Sequence, residues 1–150
     1  AALGLTGLAG GAALAGCCAQ MVGFAVMSFK ENRWGGLLAQ GLGTSMLQVP
    51  NIIRRPVIWL PAIVSSAILG PVGTMAMNMQ SNASGSGMGT CGLVGQIMTW
   101  QVMAPVDGPA VTLIKILVMH FILPAILTLG VSELMRKKGL IRYGDMKLDL

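Results

Sequence analysis

The chain has 150 residues, of which 54% are hydrophobic and 10% are charged, and its formal net charge is +5. A soluble domain carries about 25% charged residues, so this composition excludes an ordinary soluble protein and predicts a chain that folds in lipid. Aromatic residues make up 5%, too few for the interfacial girdles of a transmembrane β-barrel. We therefore expect an all-α, polytopic helical membrane protein with about three full spans.

The first predicted span covers residues 1–27, which hold no charged residue. Small residues recur along it at every fourth position and predict a ridge that another helix can approach closely: Gly7, Gly11, Ala15, Ala19 and Gly23. The ridge packs either inside one bundle or against a second copy of the chain, and we expect the former. Because the chain opens inside this apolar run without a basic n-region, we also expect an upstream portion of the same protein.

A short apolar segment, residues 35–51, follows the charged turn at residues 30–33. Gln40, Thr44 and Gln48 repeat at i, i+4 and i+8 and form one polar stripe. The segment is too short to cross the membrane, so it predicts a half-helix or a re-entrant hairpin. An amphipathic helix lying on the membrane surface is the alternative.

The second predicted span covers residues 57–77 and contains Pro61 and Pro71, which favour a kinked or broken helix. The stretch that follows, residues 78–91, is uncharged and rich in amides, hydroxyls and glycines. Groups of this kind bind sugars and other polyols. The same Gly/Ser composition is also typical of a flexible surface loop, so the stretch either lines a site or lies outside the membrane.

A second short apolar segment, residues 92–105, precedes the third predicted span, residues 110–131. His120 lies near the centre of that span, where ionisable groups usually face the bundle interior or a water-filled cavity. It either contacts substrate, relays a proton or forms a hydrogen bond with a neighbouring helix. Lys115 either snorkels to the interface or pairs with Asp107.

The distribution of Lys and Arg predicts the topology. If the three spans alternate, the basic residues outside them fall on one side, which the positive-inside tendency assigns to the cytoplasm. We therefore expect a transmembrane domain over residues 1–132 and a solvated, basic cytoplasmic tail over residues 133–150. The basic flanks explain the net charge without a nucleic-acid partner. The order of elements in the two halves indicates an inverted repeat with two oppositely directed re-entrant segments, an arrangement that builds substrate sites in transporters.

Neutral polar side chains are the candidate substrate-binding residues, and no catalytic constellation accompanies them. The three cysteines have no CxxC spacing, and the methionines are scattered through the apolar spans, which favours core filling over copper(I) binding. We expect no catalytic residue, no metal site and no cofactor. The predicted substrate-binding set is Asn78, Gln80, Asn82, Ser84, Gln96, Gln48, Asn51 and His120.

Two segments of the chain resemble a known family: 22-VGFAVMSFKENRWGGLLAQGLGTSMLQVPNIIRRP-56 and 69-LGPVGTMAMNMQSNASGSGMGTCGLVGQI-97. They are similar to the C-terminal half of bacterial phosphotransferase-system EIIC-like membrane proteins, in particular the PfoR-type group described as toxin regulators. The resemblance implies a subunit of the bacterial cytoplasmic membrane that binds and moves a sugar, while partner IIA and IIB subunits supply the phosphoryl group. We also expect a homo-oligomer surrounded by membrane lipid.

The resemblance leaves two other functions open. Glucose-type EIIC proteins present a glutamate to the sugar from a re-entrant hairpin, and no acidic residue of this chain falls in such a hairpin. A membrane regulator or sensor without transport activity is therefore one alternative, and a simple channel is another.

Overall fold

The computed structural model describes residues 4–148, which are mainly helical. No strand occurs among these residues, and the only β-type pairing between them is a single bridge from Gly7 to Ser81. The all-α prediction is confirmed. The helices, in chain order, are α1 (Gly7–Met27), α2 (Phe29–Leu38), α3 (Val49–Arg54), α4 (Leu60–Met75), α5 (Val94–Asp107), α6 (Pro109–Leu117) and α7 (Leu123–Lys137).

Within residues 4–148, three helical segments are long and apolar enough to cross a membrane: Gly7–Met27, Pro56–Met75 and Pro109–Lys137. The first two have 21 and 20 residues, which at a rise of about 1.5 Å per residue matches a hydrocarbon core about 30 Å thick. The third is continuous because the π turn Val118–Ile122 joins α6 directly to α7. The three predicted spans therefore exist as helices.

Helix α1 forms the centre of the bundle. In the most apolar stretch of α1, 67% of the residues are buried, compared with 33% and 28% in the corresponding stretches of the other two spans. Its small residues explain this, because they admit neighbouring elements at short range: a Cβ on Gly23 would lie 2.9 Å from Thr128 of α7, and one on Gly11 would overlap the carbonyl of Met79. The small-residue ridge thus packs inside the bundle, as expected.

One end of the bundle carries most of the charge, and we call it the basic end. Three ion pairs join its elements: Lys30–Glu133 at 2.6 Å, Arg136–Glu31 at 2.9 Å and Arg55–Asp145 at 3.2 Å. The opposite end, which we call the far end, has the pair Lys115–Asp107 at 2.7 Å, one of the two alternatives that the sequence offered for Lys115. Nine of the ten Lys and Arg residues belong to the basic end: Lys30, Arg33, Arg54, Arg55, Arg136, Lys137, Lys138, Arg142 and Lys147.

The C-terminal segment differs from the solvated tail that we expected over residues 133–150. Residues 133–137 complete the last turns of α7, and residues 138–148 fold back onto the basic end, where Ile141 and Met146 are buried. The carbonyl of Met146 accepts hydrogen bonds from Asn32 Nδ2 at 2.7 Å and from Gln48 Nε2 at 2.9 Å. Two apolar side chains and several polar partners thus hold this segment against the protein. Residues 149 and 150 lie outside the described part.

Candidate functional site

Residues 34–54 form a helical hairpin, the first hairpin, that rises from the basic end beside α1. The chain reverses at Arg33, whose φ of +52° breaks α2. It then climbs along α1, where Gln40 Nε2 donates to Ser28 Oγ at 2.9 Å. The tip lies at Thr44, whose hydroxyl accepts from the amide of Met46 at 3.2 Å. The chain returns through a short 3-10 turn and α3, so the predicted short segment is a hairpin of two half-length arms.

Residues 79–107 form the second hairpin, which enters from the far end. The amide of Ser81 donates to the carbonyl of Gly7 at 3.2 Å, near the start of α1. The chain then runs along α1 as far as Gly89, whose φ is +57° and where a Cβ would lie 3.2 Å from Cys17 Cβ. Helix α5 forms the returning arm. The Gly/Ser/Asn stretch is thus the descending arm of this hairpin.

The descent brings the polar stretch deep along α1. Gly7 and Cys17 are ten residues apart on that helix, about 15 Å along its axis, which is half the thickness of a hydrocarbon core. Ser81, Ser86 and Thr90 are buried on the way. This placement differs from an exposed flexible loop.

The tips of the two hairpins meet beside the middle of α1. Thr90 Oγ1 at the second tip donates to the carbonyl of Gly41 in the first hairpin. A cavity of about 330 Å³, the central cavity, lies between the tips and α1. None of the ten described residues that line it is charged: Cys17, Gln20, Met21, Gly43, Thr44, Ser45, Met46, Gly87, Met88 and Cys91.

A second cavity of about 290 Å³, the lower cavity, adjoins the central one on the side of the basic end. Gln20, Ser45 and Met46 line both cavities. The remaining walls of the lower cavity are apolar or aromatic: Phe24, Val49, Ile52 and Trp59. The two cavities together follow α1 from its midpoint toward the basic end.

Gln80, Asn82 and Ser84 lie on the descending arm of the second hairpin, and Asn78 directly precedes it; none of the four lines the central cavity. Asn78 and Gln80 line a recess of about 50 Å³ at the far end, and Ser84 is exposed. Asn82 stabilises the hairpin itself, because its Oδ1 accepts from the amide of Gly85 at 2.9 Å.

Two further predicted residues, Gln48 and Asn51, lie at the base of the first hairpin. Gln48 Nε2 donates to the carbonyl of Met146 at 2.9 Å, and Asn51 Nδ2 donates to the carbonyl of Lys147 at 2.9 Å. Both amides therefore bind the backbone of the C-terminal segment.

The last two predicted residues, Gln96 and His120, are brought together in the core. Gln96 Nε2 lies 3.3 Å from His120 Nδ1 and 3.5 Å from Cys18 Sγ. Both side chains are buried, and Gln96 Oε1 and His120 Nε2 have no hydrogen-bond partner among the described residues. His120 thus contacts a neighbouring helix, one of the alternatives that the sequence left open. Residues 4–148 contain no group of three or more His, Cys, Asp or Glu side chains placed to hold a metal ion.

Sequence reasoning missed the residues that line the central cavity. Two signals pointed to them: Gln20 is the one strongly polar side chain in the first span, and Thr44 belongs to the polar stripe of the first short segment. The cavity joins residues up to 74 positions apart, from Cys17 to Cys91. A contact of that range depends on how the two hairpins pack, which local patterns do not encode.

The sequence of this chain matches one protein family. The family model described as "Phosphotransferase system, EIIC" covers residues 1–148. No curated protein and no solved structure matches the chain.

Proposed function

Because this chain belongs to the phosphotransferase-system EIIC family of membrane permease-type subunits, we propose that it binds and moves a sugar or a similar polar small molecule. Partner subunits of the same system, IIA and IIB, transfer the phosphoryl group. The membrane is the bacterial cytoplasmic membrane, and the basic end with the C-terminal segment faces the cytoplasm, since cytoplasmic flanks are enriched in Lys and Arg.

The central cavity is the observation that carries this proposal. Its volume of about 330 Å³ falls within the roughly 300–1,000 Å³ of small-molecule sites and suits one monosaccharide. It lies where two broken helical elements from opposite ends meet, which is how many transporters build a site near the middle of the membrane. We therefore propose that both hairpins are re-entrant and that they form an inverted repeat.

The chemistry of the lining favours a neutral substrate. Gln20, Thr44 and Ser45 supply an amide and two hydroxyls, while thioether side chains form apolar walls. An ionised substrate would lose its hydration here without gaining a charged partner. A polyol instead presents hydroxyls to the polar groups and the apolar face of its ring to the methionines.

The predicted site residues that lie outside the central cavity have other roles in this proposal: they line the approach to the path or hold the two hairpins in place. Asn78 and Gln80, which line the recess at the far end, and the exposed Ser84 form the outer approach to the path. Asn82 shapes the second hairpin. Gln96 and His120 form a polar cluster behind α1 that holds the returning arm of this hairpin. Gln48 and Asn51 anchor the first hairpin to the C-terminal segment.

The three native cysteines provide the test. Cys17 and Cys91 line the central cavity, whereas the adjacent Cys18 is fully buried on another face of α1. We expect N-ethylmaleimide to modify Cys17 and Cys91 in the full-length protein in membranes, and a neutral sugar to slow both reactions. Cys18 is the internal control and should stay unmodified with or without sugar.

The measurement is the rate of modification at each cysteine, monitored by mass spectrometry. It is repeated in the presence of each sugar of a panel of hexoses, hexitols and N-acetylhexosamines. Protection of Cys17 and Cys91 by one class of sugar, together with uptake of that sugar by cells, supports the proposal. If no sugar of the panel slows either reaction, the central cavity is not a sugar site.

A membrane regulator without transport is the second candidate, and the docked C-terminal segment favours it. Gln48 and Asn51 tie that segment to the hairpin whose tip lines the cavity, so occupancy of the cavity has a direct route to the basic end. For a regulator, deletion of the gene should alter the expression of target genes and leave the uptake of every tested sugar intact.

A further inference from the structure

We propose that Gln20 is the specificity-determining residue of the transport path, and that Trp59 and Ser66 are its positioning residues. This inference rests on the proposed function, since it assigns a role within the same site. Gln20 is one of three residues that line both the central and the lower cavity. A substrate that moves from the middle of α1 toward the basic end must therefore pass its side chain.

The amide of Gln20 is held from both sides by the second span. Trp59 Nε1 donates to Gln20 Oε1 at 2.9 Å, and Gln20 Nε2 donates to Ser66 Oγ at 3.2 Å. Ser66 is itself fixed, because its hydroxyl lies 2.8 Å from the carbonyl of Ala62 one turn earlier in α4. The side chain is thus attached to the second span at two points although it belongs to α1.

This pattern determines which way the amide points. An indole N–H only donates hydrogen bonds, so the oxygen of Gln20 must face Trp59 and the NH₂ group must face Ser66. The amide nitrogen carries two N–H donors, and one of them is used by Ser66. The other remains for a substrate at the junction of the two cavities.

A single oriented N–H donor selects for one acceptor on the substrate. A hydroxyl or carbonyl oxygen at the matching position forms the bond, whereas an analogue without that oxygen leaves the donor unpaired, which is how polar sites reject near-isosteres. The ring of Trp59 is 43% exposed and lies beside Phe24 in the lower cavity. The path therefore combines one directional donor with an aromatic wall.

The test compares a sugar with its monodeoxy analogues in four forms of the full-length protein. These are the wild type, Gln20→Leu, Trp59→Phe and the control Trp100→Phe, whose ring lies on α5 outside both cavities. The probe is the hexose or hexitol that best protects Cys17 from N-ethylmaleimide, and the readout is its half-protecting concentration.

In the wild type and in Trp100→Phe, one monodeoxy analogue should bind roughly 3- to 10-fold more weakly than the parent sugar, the worth of one neutral hydrogen bond. Gln20→Leu should bind the parent more weakly and lose the discrimination against that analogue. Trp59→Phe keeps an aromatic ring but frees the amide oxygen, so the discrimination should shrink while the affinity for other analogues changes little. A purely structural role for Trp59 would lower all affinities alike.

The failure of this inference differs from the failure of the proposed function. If sugars protect Cys17 but Gln20→Leu keeps the wild-type ranking of the analogues, Gln20 does not determine specificity and the central cavity remains a sugar site. If no sugar protects Cys17 in the wild type, both proposals are wrong. The extent of Cys18 modification reports unfolding, and Gln20→Met, which keeps the side-chain length but has no N–H donor, replaces Gln20→Leu if the latter exposes Cys18.

Discussion

The two hairpins reach the same cavity but are held in place by different forces. The first is fastened at its base by side-chain hydrogen bonds to the C-terminal segment: Gln48 and Asn51 of the hairpin, and Asn32 just before it, all bind backbone atoms of residues 146–148. The second is fastened by close backbone contact, because Gly10 and Gly11 of α1 admit the carbonyls of Ser81 and Met79 where any side chain would collide.

This difference indicates which hairpin moves. Three of these four hydrogen bonds are exposed or partly buried and can exchange for bonds to water. The first hairpin can therefore separate from the C-terminal segment at the cost of one buried hydrogen bond, that of Gln48. Contacts made by close packing are all-or-none, since a backbone pressed against glycine has no alternative position nearby. We therefore expect the central cavity to open through the first hairpin, toward the basic end.

The largest expected effect comes from breaking the fit of the second hairpin with Gly11→Val. A Cβ at this position overlaps the carbonyl of Met79, and the added side chain cannot relax into free space. We expect a loss of more than about 3 kcal/mol of stability, seen as a lower midpoint of thermal unfolding in detergent. Gly70→Val is the matched control, because a Cβ there meets no atom within 4 Å. Equal stability of the two variants would contradict the close packing of this hairpin.

Glu31→Gln should have the next largest effect, at the basic end. The Glu31 side chain is fully buried and its carboxylate lies 2.9 Å from Arg136 Nη2, so the variant leaves a largely buried guanidinium without its charge partner. We expect a loss of about 2–3 kcal/mol, measured by chemical or thermal unfolding. Glu133→Gln breaks the exposed pair with Lys30 and should cost no more than about 1 kcal/mol. A larger loss of stability in Glu133→Gln than in Glu31→Gln would show that burial does not determine how much each ion pair contributes.

Asn32→Ala tests the same difference by loosening the C-terminal segment that holds the base of the first hairpin. It removes hydrogen bonds of 2.7 and 2.8 Å to the backbone of Met146 and Leu148, worth about 1–2 kcal/mol in total. Hydrogen exchange should speed up at residues 45–54 and 141–148 and stay unchanged at residues 79–90. Ser84→Ala, which removes an exposed hydroxyl of the second hairpin, is the control. Faster exchange in both hairpins would mean that they do not move independently.

The smallest effect is expected from Lys115→Met at the far end. The ion pair of Lys115 with Asp107 is partly exposed, with 21% and 29% of the two side chains accessible, so its removal should cost less than about 1 kcal/mol. Thermal unfolding and the accessibility of Thr90→Cys should both match the parent protein. A large loss would show that charge, as well as close packing, fastens the second hairpin.

Local patterns in the sequence predicted the long elements well and the contacts between elements poorly. The spans were predictable because uncharged apolar runs of about 20 residues have few other stable environments. The prolines were harder to interpret: Pro71 lies inside an unbroken α4, and Pro50 lies in the first turn of α3. A proline fits the first turn of a helix, where its missing N–H is not needed.

The C-terminal segment and the candidate site were predicted less well for a physical reason. An amide side chain such as that of Gln48 or Asn51 offers the same donors and acceptors to a sugar and to a peptide backbone. Its position in the folded protein determines which of the two it binds. The buried Met146 is one apolar residue in a charged stretch, too weak a signal for docking. The central cavity lies where the tips of the two hairpins meet. The sequence predicted the two short segments but not the contact between them.

The most direct test of the central claim, that the two hairpin tips meet beside the middle of α1, is a cross-link between them. In a cysteine-free background, Gly41→Cys and Thr90→Cys place thiols at two residues that are hydrogen-bonded to each other, and a side chain at Gly41 has room, with Ala25 Cβ 3.5 Å away. We predict rapid disulfide formation in native membranes under mild oxidation, and none when Gly41→Cys is paired with Ser84→Cys. Failure of the Gly41–Thr90 pair to cross-link, with Thr90→Cys freely modified by a membrane-impermeant reagent, would contradict the account.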